Sequence, residues 1–288
     1  MGADNENAVR ELFDVKYLPP LSATATRLLE AVTDDEIDLK TLAIIIDQDP
    51  GLAARIVGLA NSAYFAQPSP VYSVEEAIIR VLGLNMVKSL ALGICVAGVF
   101  DLEKCPAFDL PGYWFKALAS GQLARLLTMM VPSPQRPDSA VLYLGGLFHN
   151  LGVLLLVHAM GERYAEVLRL AAQSEGEALL EIERDRLGIN HQEAGVWLAE
   201  RWHLPSAILT MLGQQGLSDY TGTYQTEVYL LSGAIDWVDR IRLGEAFALD
   251  QSDWLNKIDR FDRSRLPQIE ERFLRQLDDL ELVARQLA

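Results

Sequence analysis

At 288 residues, half of them hydrophobic, the chain can bury the core of one large or two medium domains, so a folded protein is the expectation. Its 40 Asp and Glu against 25 Lys and Arg leave a net charge of −15. That balance argues against general nucleic-acid binding, which needs clustered cations to displace counterions. Cys95 and Cys105 lack the paired spacings of a zinc site and read as reduced, partly buried thiols.

In chain order, the first segment is the most acidic: Met1 to Pro50 holds 11 Asp and Glu against 4 Lys and Arg, a solvated face or a surface for a basic partner. Its opening, MGADNENAVRELFDVKY, has no positively charged n-region followed by an apolar run, so a secretory signal is not expected. Leu21, Ala25, Leu28, Leu29 and Val32 then form a helical stripe. Asp38 is placed to cap a helix carrying Leu39, Leu42, Ile45 and Ile46, and Asp49 to cap one that starts at Pro50. That helix is expected to end at Asn61, with Tyr64 packed on its stripe. Ser73 and Glu76 have capping-box spacing before a helix that stops at Gly83, and another helix runs from about 85 to 100.

Pro106 and Pro111 interrupt the pattern between 101 and 112, the expected junction between two helical units that pack together as one body. Beyond it, helices are expected near 113–131, 138–150, 161–174, 176–187, 190–202, 205–214 and 223–243. Gly145 and Gly146 lack the Lys and Ser/Thr of a P-loop and suit close helix packing. Ile269, Phe273, Leu277, Leu280 and Leu287 suggest one last amphipathic helix, packed on its own chain. Alternating β-branched runs are absent, so the fold class is all-α, with units at 1–105 and 106–244 and a C-terminal extension at 245–288. The longest apolar runs, Ala91–Phe100 and Leu151–Val157, fall short of the roughly 18 residues a membrane helix needs, so a cytoplasmic protein is expected.

Within GGLFHNLGVLLL, a helix and the turn after it, the pair His149-Asn150 is a polar interruption that must find partners or carry a function. The blocks LPPLSATATRLLEAV, LAIIIDQDPGLAARIVGLANSAYF, SVEEAIIRVLGLNMVKSLALG, YWFKALASGQLARLL, LYLGGLFHNLGVLLL and HQEAGVWLAERWHLP resemble, in order and spacing, the HDOD family of bacterial signalling proteins over roughly residues 15–215. The resemblance implies an all-helical protein whose second half is related to HD phosphohydrolases. In active relatives of that kind, a first histidine, a His-Asp pair and a late Asp hold a divalent ion that activates water.

Here the pair is His149-Asn150, the first histidine's place holds Lys116, and Gln214-Gln215 stand where many relatives carry two histidines. His149, His191 and Asp236 are the surviving candidates, and His191 is either a first-turn surface residue or a pocket residue. An ammonium repels a cation and Asn offers a weak neutral oxygen, so neither a bound metal nor a cofactor is expected. His158 and His203 lie outside the implied ligand positions.

The leading expectation is therefore a non-catalytic signalling module that contacts a protein partner. One alternative is a residual metal-dependent phosphohydrolase of a nucleotide or cyclic dinucleotide. A second is a pocket that holds a small anion or nucleotide against Lys116. Neither a nucleic-acid nor a membrane partner is expected, and the oligomeric state stays open. Lys116 itself is expected to pair with Asp236 or the Asn150 oxygen, replacing the charge of a metal.

Overall fold

The computed structural model describes residues 20–34, 37–62, 65, 69–174 and 179–288. Among them no strand occurs, and the fold is all-α. Two compact units emerge, one of residues 20–99 with 285–288 and one of residues 100–284.

In the first unit Asp38 and Asp49 cap their helices where the sequence places them. Helix α1 (Ala23–Thr33) begins on Ser22, whose hydroxyl accepts from the Ala25 N–H, and α2 (Leu39–Asp47) begins on Asp38. Helix α3 (Pro50–Ala60) starts at Asp49 with proline in its first turn. At its end the Asn61 side chain donates to the Val71 carbonyl and accepts from the Val71 N–H, both at 2.7 Å, so it fixes the loop beyond as well as the helix end. Tyr64 lies outside the described residues.

Ser73 caps α4 (Val74–Ala77), but the Glu76 carboxylate accepts from the N–H of Tyr72 instead of closing the reciprocal half of the box. The chain continues through a π turn (Ile78–Leu82) to α5 (Leu84–Ala97). Leu28, Leu42, Ile46, Ile56 and Leu90 form the core where α1, α2, α3 and α5 meet.

The second unit opens with α6 (Leu110–Leu127), capped by Asp109, with Pro111 inside the first turn. That proline starts the helix and does not interrupt it, because an N-terminal turn has no use for its N–H. Helix α7 (Ser139–Phe148) leads, after the turn at 149–150, into α8 (Leu151–Met160). Helix α8 is absent from the elements expected of the sequence: Leu151, Leu154, Leu155, Leu156 and Val157 are all buried, and a helix covered on every side shows no 3.6-residue alternation.

Together, 139–160 form a 22-residue apolar helical stretch, long enough by composition to cross a bilayer, contrary to the expectation that every apolar run is too short. Its most apolar window is 89% buried within the protein, the position of a core element.

Helices α9 (Glu162–Gln173), α10 (Leu179–Leu187), α11 (His191–Arg201), α12 (Ser206–Gln214) and α13 (Gln225–Arg242) complete the body of the unit. The short α14 (Asp253–Asn256) packs on α13. The expected single C-terminal helix is two, α15 (Leu266–Leu274) and α16 (Leu277–Leu287), broken at Arg275-Gln276. The stripe misleads because Phe273 and Leu277, four apart, keep helical spacing across that break.

Two glycine contacts set the spacing of the central helices. A Cβ on Gly146 would lie 2.2 Å from the Gly121 Cα, so α6 and α7 touch backbone to backbone, the packing role expected for the Gly145-Gly146 pair. A Cβ on Gly152 would lie 1.8 Å from the His191 carbonyl oxygen, so α8 meets the first turn of α11 with no side chain between them.

Candidate functional site

The crossing at Gly152 brings the N-terminus of α11 next to the turn between α7 and α8, and so brings His191 towards His149. A cavity of about 280 Å³ opens there, walled by α6, α11, α13 and the turn. Lys116, His149, Asn150, His191, Gln215 and Asp236 line it, so six of the seven residues singled out in the sequence converge. Gln214, the last residue of α12, is half-buried beside it and does not line it. The helix ends at that residue, so only Gln215 turns inward.

His149 is 2% exposed. Its Nδ1 lies 2.7 Å from the Gly146 carbonyl, which can only accept, so Nδ1 carries the proton and Nε2 keeps a lone pair. Burial, then the charge of Lys116, pushes its pKa down from 6.5 to about 3, and the ring is neutral at physiological pH. Nε2 has no hydrogen-bond partner among the described residues. The His149 carbonyl accepts from the buried Gln215 amide at 2.6 Å, tying the turn to the end of α12.

His191 opens α11 behind an Asn190–Glu193 capping box, and it is a pocket residue as well as a first-turn residue. Its backbone N–H and its Nδ1 both approach Glu183 Oε2, at 2.8 and 2.7 Å. Glu183, on α10, is fully buried and also accepts from the Tyr164 hydroxyl at 2.6 Å. Three donors thus compensate a carboxylate that is costly to bury. Burial and that carboxylate raise the Tyr164 phenol well above its ordinary range, so it stays a donor.

Lys116 lines the cavity but pairs elsewhere than expected. Its Nζ lies 2.6 Å from Asp239 Oδ2, while Asp236 accepts from Arg240 Nε at 3.1 Å. The two aspartates sit three apart on one face of α13, and Arg240, four residues after Asp236, reaches that carboxylate along its own helix. The Lys116 and Asp239 side chains are 23% and 42% exposed, so this is a rim pair and not a buried one.

Among the described residues, no group of three or more His, Cys, Asp and Glu side chains is placed to hold a metal ion. Glu183, Asp239, Ser232 and Trp254 belong to the site or its support and do not stand out in the sequence. Asp239 could be found there as the helical neighbour of Asp236. Glu183 stands in the charged run EIERDRL with nothing to mark it as buried. His158 accepts from the Asp101 N–H at 2.9 Å, and His203 is exposed; both lie away from the cavity.

The HDOD domain model matches residues 18–216. The chain belongs to the HDOD family. A relative from Treponema pallidum, itself uncharacterized, is 25% identical over 197 residues, covering 68% of this chain and 37% of its own length. A protein from Marinobacter aquaeolei, assigned provisionally to signal transduction, superposes with a TM-score of 0.78 at 26% identity over 99% of this chain and 66% of its own. The chain thus spans less than two thirds of the length of both relatives. An HDOD protein of unknown function from Geobacter sulfurreducens shares the fold at a TM-score of 0.71 and 21% identity, covering 99% of this chain and 98% of its own.

Proposed function

We propose that this HDOD protein is a non-catalytic, cytoplasmic regulatory module that passes a signal through contact with another protein, and that its cavity is an HD metal site that has lost its metal. The observation that carries the reading is the state of the cavity's charged groups. An active HD site needs imidazoles and free carboxylates converging on one cation. Here Lys116 brings an ammonium to the wall, and Asp239 and Asp236 are already engaged by Lys116 and Arg240. Asn150 offers at best a neutral oxygen where a carboxylate would be needed. These residues do not fit a catalytic divalent ion.

What the cavity does provide is rigidity. The Gln215–His149 bond ties the end of α12 to the turn after α7, and the His191–Glu183–Tyr164 bonds tie the start of α11 to α10 and α9. A fixed helical body suits a protein that presents a surface. The similarity to the Marinobacter protein supports the signalling assignment, and the partner is a protein to be identified by capture experiments.

The test is a phosphodiesterase and phosphomonoesterase assay with Mn²⁺ on the unaltered protein and on a Lys116→His, Asn150→Asp variant. The unaltered protein is expected to show no turnover above the metal-only background. Metal-dependent turnover by the unaltered protein, abolished by His149→Ala, would return the enzyme reading to first place.

A further inference from the structure

We propose that the crossing of α6 and α15 binds a phosphate-type oxyanion between Arg125 and Arg272. This place lies apart from the cavity: Arg125 stands two and a half turns beyond Lys116 on α6, about 14 Å along the helix. The two helices pack on each other, and a polar chain joins them. Arg125 Nη2 donates to Gln122 Oε1 at 3.0 Å, and Gln122 Nε2 donates to Gln276 Oε1 at 2.8 Å. A guanidinium can only donate, so the sense of both bonds is fixed and the Gln276 amide keeps its N–H groups as the free end. Arg125 Nε is buried without a partner, whereas Arg125 Nη1 and Gln276 Nε2 are unbonded and not buried. The unbonded nitrogens at this crossing are all donors.

Charge points the same way. The chain holds 40 Asp and Glu against 25 Lys and Arg, yet among the described residues neither Arg125 nor Arg272 forms an ion pair with a carboxylate. Glu271, next to Arg272 in the chain, is taken by Arg275, and Glu270 accepts from the Leu249 N–H. Burial lowers the Arg125 pKa from its ordinary range; Tyr143 opposes this, and the charge of Arg272 lowers it further. Two guanidinium groups that repel each other in an acidic protein are relieved by an anion placed between them, which also supplies acceptors to the waiting donors. Arg125, Arg272 and Gln276 offer donors from three residues. A phosphoryl group meets them with three terminal oxygens, a carboxylate with only two.

The experiment uses the full chain labelled with ¹⁵N and follows the Arg125 Nε–H and Gln276 side-chain amide signals at constant ionic strength, so that screening does not vary. The probes are inorganic phosphate, methyl phosphate and acetate. Phosphate is expected to shift both signals saturably with a midpoint of a few millimolar, with acetate at least about tenfold weaker. Arg272→Gln removes an exposed side chain and should weaken phosphate by about tenfold, the loss of one charge-assisted hydrogen bond. Arg275→Gln removes the same charge from the exposed pair next door and should change the midpoint by less than about twofold. Methyl phosphate binding as tightly as phosphate assigns the site to the end of a phosphate ester, and weaker binding assigns it to the free ion; either supports the proposal. It is overturned by no saturable shift up to about 50 mM phosphate, by acetate binding as tightly as phosphate, or by Arg272→Gln weakening phosphate no more than Arg275→Gln does.

Discussion

Acid should destabilise this protein through His149. The folded pKa is depressed to about 3, and the ordinary value of 6.5 applies to the unfolded chain. Between those values the unfolded state binds the proton and the folded state does not, so stability rises with pH across the window. The contribution is complete above pH 6.5 and is lost progressively as pH falls towards 3. Each pH unit inside the window is worth about 1.4 kcal/mol, so acidification to pH 5 should cost about 2 kcal/mol from this residue alone.

His158 is also depressed by burial and adds a slope of the same sign, so the informative quantity is a difference. Urea unfolding at half-unit steps from pH 7.5 to 5, on the unaltered protein and on His149→Phe, isolates the term, provided the m-value is shared. The Phe variant is expected to lose less stability on acidification, by about 2 kcal/mol at pH 5. Parallel curves, or an unaltered protein that grows more stable in acid, would refute the buried neutral imidazole.

Glu183→Leu leaves the Tyr164 hydroxyl and two His191 donors without their acceptor and should cost about 3–5 kcal/mol in urea unfolding; Glu183→Gln, which keeps one oxygen, should cost clearly less. Gly152→Ala forces a methyl into the His191 carbonyl and should cost at least about 3 kcal/mol, against under 1 kcal/mol for the unobstructed Gly58→Ala, both read by chemical unfolding. A double-mutant cycle on Lys116→Ala and Asp239→Ala should return a coupling of about 1 kcal/mol or less, because the pair is partly exposed; a coupling above about 3 kcal/mol would mean the pair is shut away from water.

The features legible in the sequence are those that local chemistry decides. Asp38 and Asp49 cap their helices because a short polar side chain before an apolar stripe has one good use. The cavity is legible for six residues because family spacing, and not periodicity, points to them. Helix α8 is not, since burial on all sides erases the signal that identifies a surface helix. The partner of Lys116 is ambiguous in sequence because Asp236 and Asp239 share a helical face, and only the reach of Arg240 decides which carboxylate is left for the lysine. Glu183 is hidden because its burial depends on α9 and α10 packing together, which no local pattern encodes.

The central claim is that this cavity no longer holds a catalytic metal. Calorimetric titration of chelator-free full-length protein with Mn²⁺ at pH 7.5 tests it most directly. No stoichiometric binding tighter than millimolar is expected, with a micromolar site appearing in the Lys116→His, Asn150→Asp variant. A one-to-one micromolar site in the unaltered protein, lost in His149→Ala, would contradict the account.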